Sequence, residues 1–354
     1  MHLAIHALLS VVLARAFFFR QVAKHGWPLL VAIVLAGTLA DLDLLAALFG
    51  PAAYLAGRYT FTHSLLGTLA VIFVSGLMFR ALDKSYAPDK HLALGKNRFQ
   101  VSDKFAPLRA IFLALALAAV LHLLLDFFSN SGVALFWPFQ FARYSADWLP
   151  NIDPWLLALL LAGLLLPELR RLISSEIGAK EKSPRGQTGA RVVFVLLTLY
   201  IGARFLLHSS SLSLLESRAY HGEIPAHVAA LPDAFSPLHW SGIVETQSML
   251  CTVPIPLAGK PFNSEAARCQ HKPDISPALA TAQQSEVAQK YLRATRFPRA
   301  SVASTTAGTA VAIRSMRDLA PGAPPHAVAA QILLDAHSRI ASEQIVWAQE
   351  IHER

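Results

Sequence analysis

Apolar residues fall into six runs, roughly 3–19, 27–49, 63–82, 107–128, 152–169 and 190–208, and most charged residues before position 208 lie between them. A helix needs about 20 mainly apolar residues to cross a bilayer; the second to fourth runs reach that length, and the first, fifth and sixth sit near the short limit. Beyond 208 the pattern changes. Ser209-Ser210-Ser211 opens a stretch whose Pro-rich parts read as loops. Strands are expected at 243–246 and 309–313, a hairpin from 329–334 and 345–347, and helix around 278–294. The expected architecture is an all-α polytopic membrane bundle of about five to six transmembrane helices over residues 1–208, followed by a C-terminal soluble β-rich α+β domain over 209–354. No internal repeat is visible.

Composition supports this division. The chain has 354 residues, of which 54% are hydrophobic, and its mean hydropathy of +0.43 is too high for an ordinary soluble protein. The net charge of +8 is carried entirely by the first part: 19 Lys/Arg face 11 Asp/Glu in residues 1–208, whereas 12 face 12 in the rest. That distribution argues against a nucleic-acid partner, because the soluble part has no basic stripe with interleaved aromatics. It is instead the signature of topology. Sixteen Lys/Arg fall in or beside the loops at 20–26, 83–106 and 170–190, against only Arg58 and Arg143 on the other side, so those three loops are expected in the cytoplasm and the C-terminal domain outside it. The first run has its charges after the apolar stretch, not before it, and reads as a first helix rather than a signal peptide. Cys251 and Cys269 can pair only in an oxidising compartment, and their spacing leaves the pairing open.

Polar residues within the apolar runs carry the chemistry. His122 and Asp126 are spaced i,i+4 and so share one helix face at the end of the fourth run. Ionisable groups at such a depth are costly unless they face a bundle interior and meet a partner. Imidazole and carboxylate are both zinc ligands, and manganese, iron or nickel also accept them. With the topology above, His6, Asp41, Asp43, His63 and Asp153 fall at the same outer level. Each has a simpler reading: His6 is incidental, Thr62-His63-Ser64 starts a helix, and Asp153 before Pro154 caps one. Asp41 and Asp43 point to opposite sides of a regular helix, so either one faces elsewhere or the helix breaks near Gly37. Their shared depth favours a common cation or shared protons, since carboxylates in one low-dielectric layer repel each other.

Ala40-Asp41-Leu42-Asp43, Phe61-Thr62-His63-Ser64, His122-Leu123-Leu124-Leu125-Asp126 with Asn130-Ser131-Gly132, Trp137-Pro138-Phe139 and Ile152-Asp153-Pro154 together resemble the ordered motifs of the YdjM-like inner-membrane metal-dependent hydrolases. The resemblance covers about residues 1–170, and the tail is similar to a soluble extension that some members carry. It implies a bacterial inner membrane, phosphoester cleavage, and His6, Asp41, Asp43, His63, His122 and Asp126 as metal-site residues with Asp153 behind them. The sequence departs from the family pattern in two places: Ala40 stands where Pro is usual, and Arg58-Tyr59-Thr60 replaces His-Arg-Gly.

The expected function is therefore a membrane-embedded hydrolase acting at the outer face on a phosphoester, lipid-linked or soluble, with one or two divalent ions, zinc or else manganese. Asp43 or Asp153 would act as general base or orient a ligating imidazole, and Arg58 or Arg143 would hold a phosphate. Two alternatives come from other classes: a transporter or ion relay using the same carboxylates, and a metal-stabilised anchor for an outer binding or scaffold domain.

Overall fold

In a computed structural model, residues 3–85, 106–176, 186–305, 308–319 and 327–350 are described; most of two of the basic loops, 86–105 and 177–185, lies outside them. The chain divides into two compact units. Unit 1 comprises Met1–Leu42, Thr62–Asp126 and Ile152–Ile201, and unit 2 comprises Asp43–Phe61, Phe127–Asn151 and Gly202–Arg354.

Unit 1 is helical. It contains α1 (Leu3–Phe17), α2 (Phe19–His25), α3 (Trp27–Ala36), α5 (Leu65–Ser85), α6 (Ala106–Phe128), α7 (Pro154–Glu176) and the first part of α8 (Gln187–Glu216), while α4 (Pro51–Gly57) falls in unit 2. Among the described residues three helices, α5, most of α6 and α8, are long and apolar enough to cross a membrane, or up to five if each of two bent pairs forms one span. The pairs are α1 with α2, bent by 97°, and α3 with the 3₁₀ segment Leu39–Phe49, bent by 57°. The second bend breaks the 27–49 run near Gly37, one of the two outcomes that the spacing of Asp41 and Asp43 had left open. Every 18-residue stretch of α7 contains Glu168, Arg170 and Arg171, which keeps that helix outside the same criterion.

Side-chain size organises the bundle. On α5, Leu65, Leu69, Phe73 and Leu77 form an exposed apolar stripe, while Gly67, Thr68, Val71, Ser75 and Phe79 are buried, most of them small residues that let helices approach closely. The core joins Leu13, Leu29, Ile33, Phe79, Ile111 and Leu115 from α1, α3, α5 and α6. An exposed apolar stripe opposite a buried face of small residues fits a helix with lipid on one side.

Unit 2 carries two four-stranded antiparallel sheets, each in simple meander order. The first contains β1 (His227–Pro232), β2 (His239–Glu245), β3 (Met249–Pro256) and β4 (Arg268–His271). Cys251 and Cys269 lie opposite each other across β3 and β4 and are disulfide-bonded, which resolves the pairing that spacing had left open. The second sheet contains β5 (Pro298–Thr305), β6 (Gly308–Ser315), β7 (Val328–Leu334) and β8 (Ile340–Trp347). Its core takes in α9 (Pro277–Gln284), α10 (Glu286–Ala294) and Leu55 of α4. The expected hairpin is present as β7 paired with β8. The expected helix near 278–294 is split at Ser285, whose hydroxyl accepts the Ala288 N–H and caps α10.

The sixth apolar segment does not end at 208. Helix α8 continues to Glu216 through Ser209-Ser210-Ser211, whose hydroxyls are accommodated by donating to the carbonyls four residues back: Phe205, Leu206 and Leu207. Leu212, Leu214 and fully buried Leu215 then pack with Tyr220, Trp240 and Val253 of the first sheet's core. Leu215→Ala should cost about 2–5 kcal/mol through the cavity it leaves, read as a lower thermal midpoint.

Helices α1 and α3 approach closely where a Cβ on Gly37 would lie 1.9 Å from the Ser10 hydroxyl oxygen and 3.3 Å from Ser10 Cβ. Gly37→Ala should destabilise the protein by about 1–3 kcal/mol in thermal unfolding, and most of that cost should vanish in a Ser10→Ala background. An equal cost in both backgrounds would contradict this account of the contact.

Candidate metal centre

The break after α3 builds the site. The helix ends at Ala36, the Gly37 N–H still donates to the Ile33 carbonyl, and the Thr38 hydroxyl returns to the Val34 carbonyl. From Leu39 the backbone tightens into the 3₁₀ segment that carries Asp41. The Gly37 carbonyl, no longer needed within a helix, lies 2.9 Å from His122 Nδ1. A carbonyl only accepts, so Nδ1 carries the proton and Nε2 presents its lone pair to the interior. Irregular backbone among apolar helices is tolerated where it meets such a polar partner.

Five ligand-type side chains converge there, all from unit 1. One ligand atom from each of His6, Asp41, His122 and Asp126 lies within 4.8 Å of the other three. His63, at the end of the 3₁₀ turn Phe61–His63, joins them: its Nε2 is 2.8 Å from Asp126 Oδ2, 3.2 Å from His122 Nε2 and 3.9 Å from Asp41 Oδ1. All five are buried, Asp126 and His63 completely. The spacing of α6 places His122 Nε2 3.4 Å from Asp126 Oδ2, as the i,i+4 relation implies.

Three imidazole nitrogens therefore approach one carboxylate, with His6 Nε2 at 3.4 Å from Oδ1. Neither ring nitrogen of His6 makes a hydrogen bond within the described residues, although both are buried. Leaving buried nitrogens without partners is costly in an apolar interior. His63 and His122 also bring two Nε2 atoms together at 3.2 Å, so at least one must present a lone pair. Two carboxylates and three neutral imidazoles carry a formal charge that one divalent cation cancels. Nitrogen and oxygen donors of this kind suit zinc, manganese, iron or nickel, so the donor set fits a metal ion without selecting one.

The other expected site residues are engaged differently. Asp43 belongs to unit 2, where it pairs with Arg58 and accepts the Tyr59 N–H at 2.9 Å. The pair Asp41 and Asp43 thus satisfies both halves of the sequence argument: the helix breaks, and the two carboxylates have different partners. Asp153 caps α7 by accepting the Leu156 N–H at 2.9 Å and also accepts the Tyr200 hydroxyl at 2.7 Å. Arg143 donates to the carbonyls of Leu55 and Arg58 within unit 2. Sequence reasoning missed the Gly37 carbonyl and Tyr200. The first was hinted at by the glycine in an apolar run; nothing in the spacing pointed to Tyr200.

No curated protein and no solved structure matches the chain. The family described as YdjM inner membrane protein matches residues 1–210, a range that contains every residue of the His/Asp cluster. The chain belongs to the YdjM inner membrane protein family.

Proposed function

We propose that this protein is a membrane-embedded, metal-dependent hydrolase that cleaves a phosphoester at the outer face of the inner membrane. The observation that carries the reading is the convergence of His6, Asp41, His122 and Asp126 around buried His6 nitrogens that make no hydrogen bond. The resemblance of the motifs to metal-dependent hydrolases supports the reaction class. The positive-inside bias supports placing the C-terminal domain outside the cytoplasm, with five or six membrane crossings before it.

His6, Asp41, His122 and Asp126 would hold the ion. When bound, a divalent ion at such a site supplies Lewis acidity: it polarises a phosphoryl oxygen and makes water more acidic. The protein contributes orientation and proton handling. Gly37 fixes the His122 tautomer. His63 meets Thr62 Oγ1 through Nδ1 at 3.1 Å and Asp126 through Nε2, so it can hold a proton beside the carboxylate and pass it on. Asp43 and Asp153, whose carboxylates are taken up by Arg58 and Tyr59 and by Leu156 and Tyr200, orient structure in this reading and do not act as the base.

The test uses detergent-solubilised protein and a panel of phosphoesters and phospholipids. Asp126→Asn should remain folded and lose at least about a hundredfold in kcat/KM, and a chelator should abolish wild-type turnover until zinc or manganese is restored. A fully active Asp126→Asn protein would sink the assignment.

A further inference from the structure

Two segments leave the apolar helices and return to them. The chain departs unit 1 after Leu42 and re-enters it at Thr62. Asp41 Oδ1 and His63 Nε2, beside the two points, are 3.9 Å apart, so departure and return lie side by side. A crossing takes about 20 residues, so the stretch 43–61 is too short to cross a bilayer and come back. Its helix α4 instead places Leu55 in the core of the second sheet, and a sheet with open edges stays out of lipid. The second segment, Phe127–Asn151, begins where the apolar helix Leu108–Phe128 ends. It is pinched at its base, because the N–H groups of Trp148 and Leu149 both donate to the Phe128 carbonyl at 2.9 Å. The segments are joined to each other: the Ala134 N–H donates to the Tyr59 carbonyl at 3.0 Å, and the Phe61 and Trp137 rings meet edge to face at 5.3 Å.

What these segments expose is the reverse of a water-facing surface. Leu48, Phe49 and Phe139 are 79%, 82% and 89% exposed, and Leu45, Phe136 and Phe141 are exposed too. Their charged side chains turn to the protein. Asp43 and Arg58, the charged residues of 43–61, pair with each other. In 127–151, Arg143 donates to the Leu55 and Arg58 carbonyls and buried Asp147 takes Arg296 in a two-pronged pair. Backbone geometry aligns the leucines: at three residues per turn, Leu45 and Leu48 of the 3₁₀ segment share one face. Leucine and aromatic side chains offered without charge, on loops that start at the end of an apolar helix, suit the boundary between lipid headgroups and acyl chains.

We propose that the tips of these two segments, 44–49 and 136–141, are a lipid-docking surface that lies in the plane of the membrane, with Leu45, Leu48, Phe49 and Phe139 inserted into the adjoining leaflet. The 3₁₀ segment Leu39–Phe49 thus turns along the membrane surface instead of continuing the passage of α3 across it. The inference rests on membership of an inner-membrane family and not on the hydrolase reading.

The experiment uses the full chain in nanodiscs of phosphatidylcholine and phosphatidylglycerol. Nitroxide labels are placed singly through Leu45→Cys, Leu48→Cys and Phe139→Cys, the native cysteines being held in their disulfide. Leu69→Cys on the exposed stripe of α5 and Ile275→Cys, 92% exposed in unit 2, serve as the lipid and water references. Accessibility to oxygen, which concentrates in lipid, is compared with accessibility to a water-soluble nickel chelate. The labels at 45, 48 and 139 should favour oxygen, as at 69, at depths of about 5–10 Å, and those at 45 and 48 should match within about 3 Å. A segment that continued across the membrane would separate them by about 6 Å, three residues at about 2 Å each, and that result overturns the proposal. Chelate access equal to that at 275 overturns it as well, because the tips then lie in water. So does shielding from both reagents, which would mean that a second copy or another protein covers them. If one labelled variant does not fold, the remaining labels still separate lipid, water and protein.

Discussion

Buried ligand-type side chains from several elements of unit 1 converge on one carboxylate. Asp126 is fully buried at the end of α6, and three imidazoles approach it. A lone carboxylate at that depth is heavily penalised, so its surroundings must neutralise it or supply hydrogen bonds. His122 comes from the same helix face, His63 from the 3₁₀ turn ahead of α5, and His6 from α1. The cluster therefore ties together elements far apart in sequence.

The break at Gly37 has a structural and a chemical consequence. It lets α1 and α3 approach at Ser10, and it frees a carbonyl that orients His122. An uninterrupted helix over 27–49 would bring Asp41 and Asp43 to opposite sides and leave the imidazole without that acceptor. The broken geometry sends Asp41 to the cluster and lets Asp43 take Arg58, each with a partner suited to its charge. Chemistry and backbone irregularity thus coincide, as they often do where polar groups sit among apolar helices.

Much of this was legible from sequence because the signals were local. The i,i+4 spacing of His122 and Asp126 survives intact, and the apolar runs at 329–334 and 345–347 are enough to place β7 and β8. Strands β4 and β5 were not visible: Arg268–His271 and Pro298–Thr305 are mostly exposed or half-buried and lack an apolar alternation. β3 contains Pro254 and Pro256, which weaken a strand assignment. The extension of α8 past Ser209 was hidden because serine runs resemble linkers until their hydroxyls are seen to return to the helix.

The central claim is that the His/Asp cluster is a metal site. The most direct measurement is elemental mass spectrometry of the wild type and of His122→Ala, both purified in detergent without chelator and verified as folded. The account predicts a near-stoichiometric transition metal, zinc or manganese, in the wild type and its loss in the variant. No metal in the folded wild type, or equal metal in both proteins, would contradict it and leave shared protons as the source of neutralisation for Asp126.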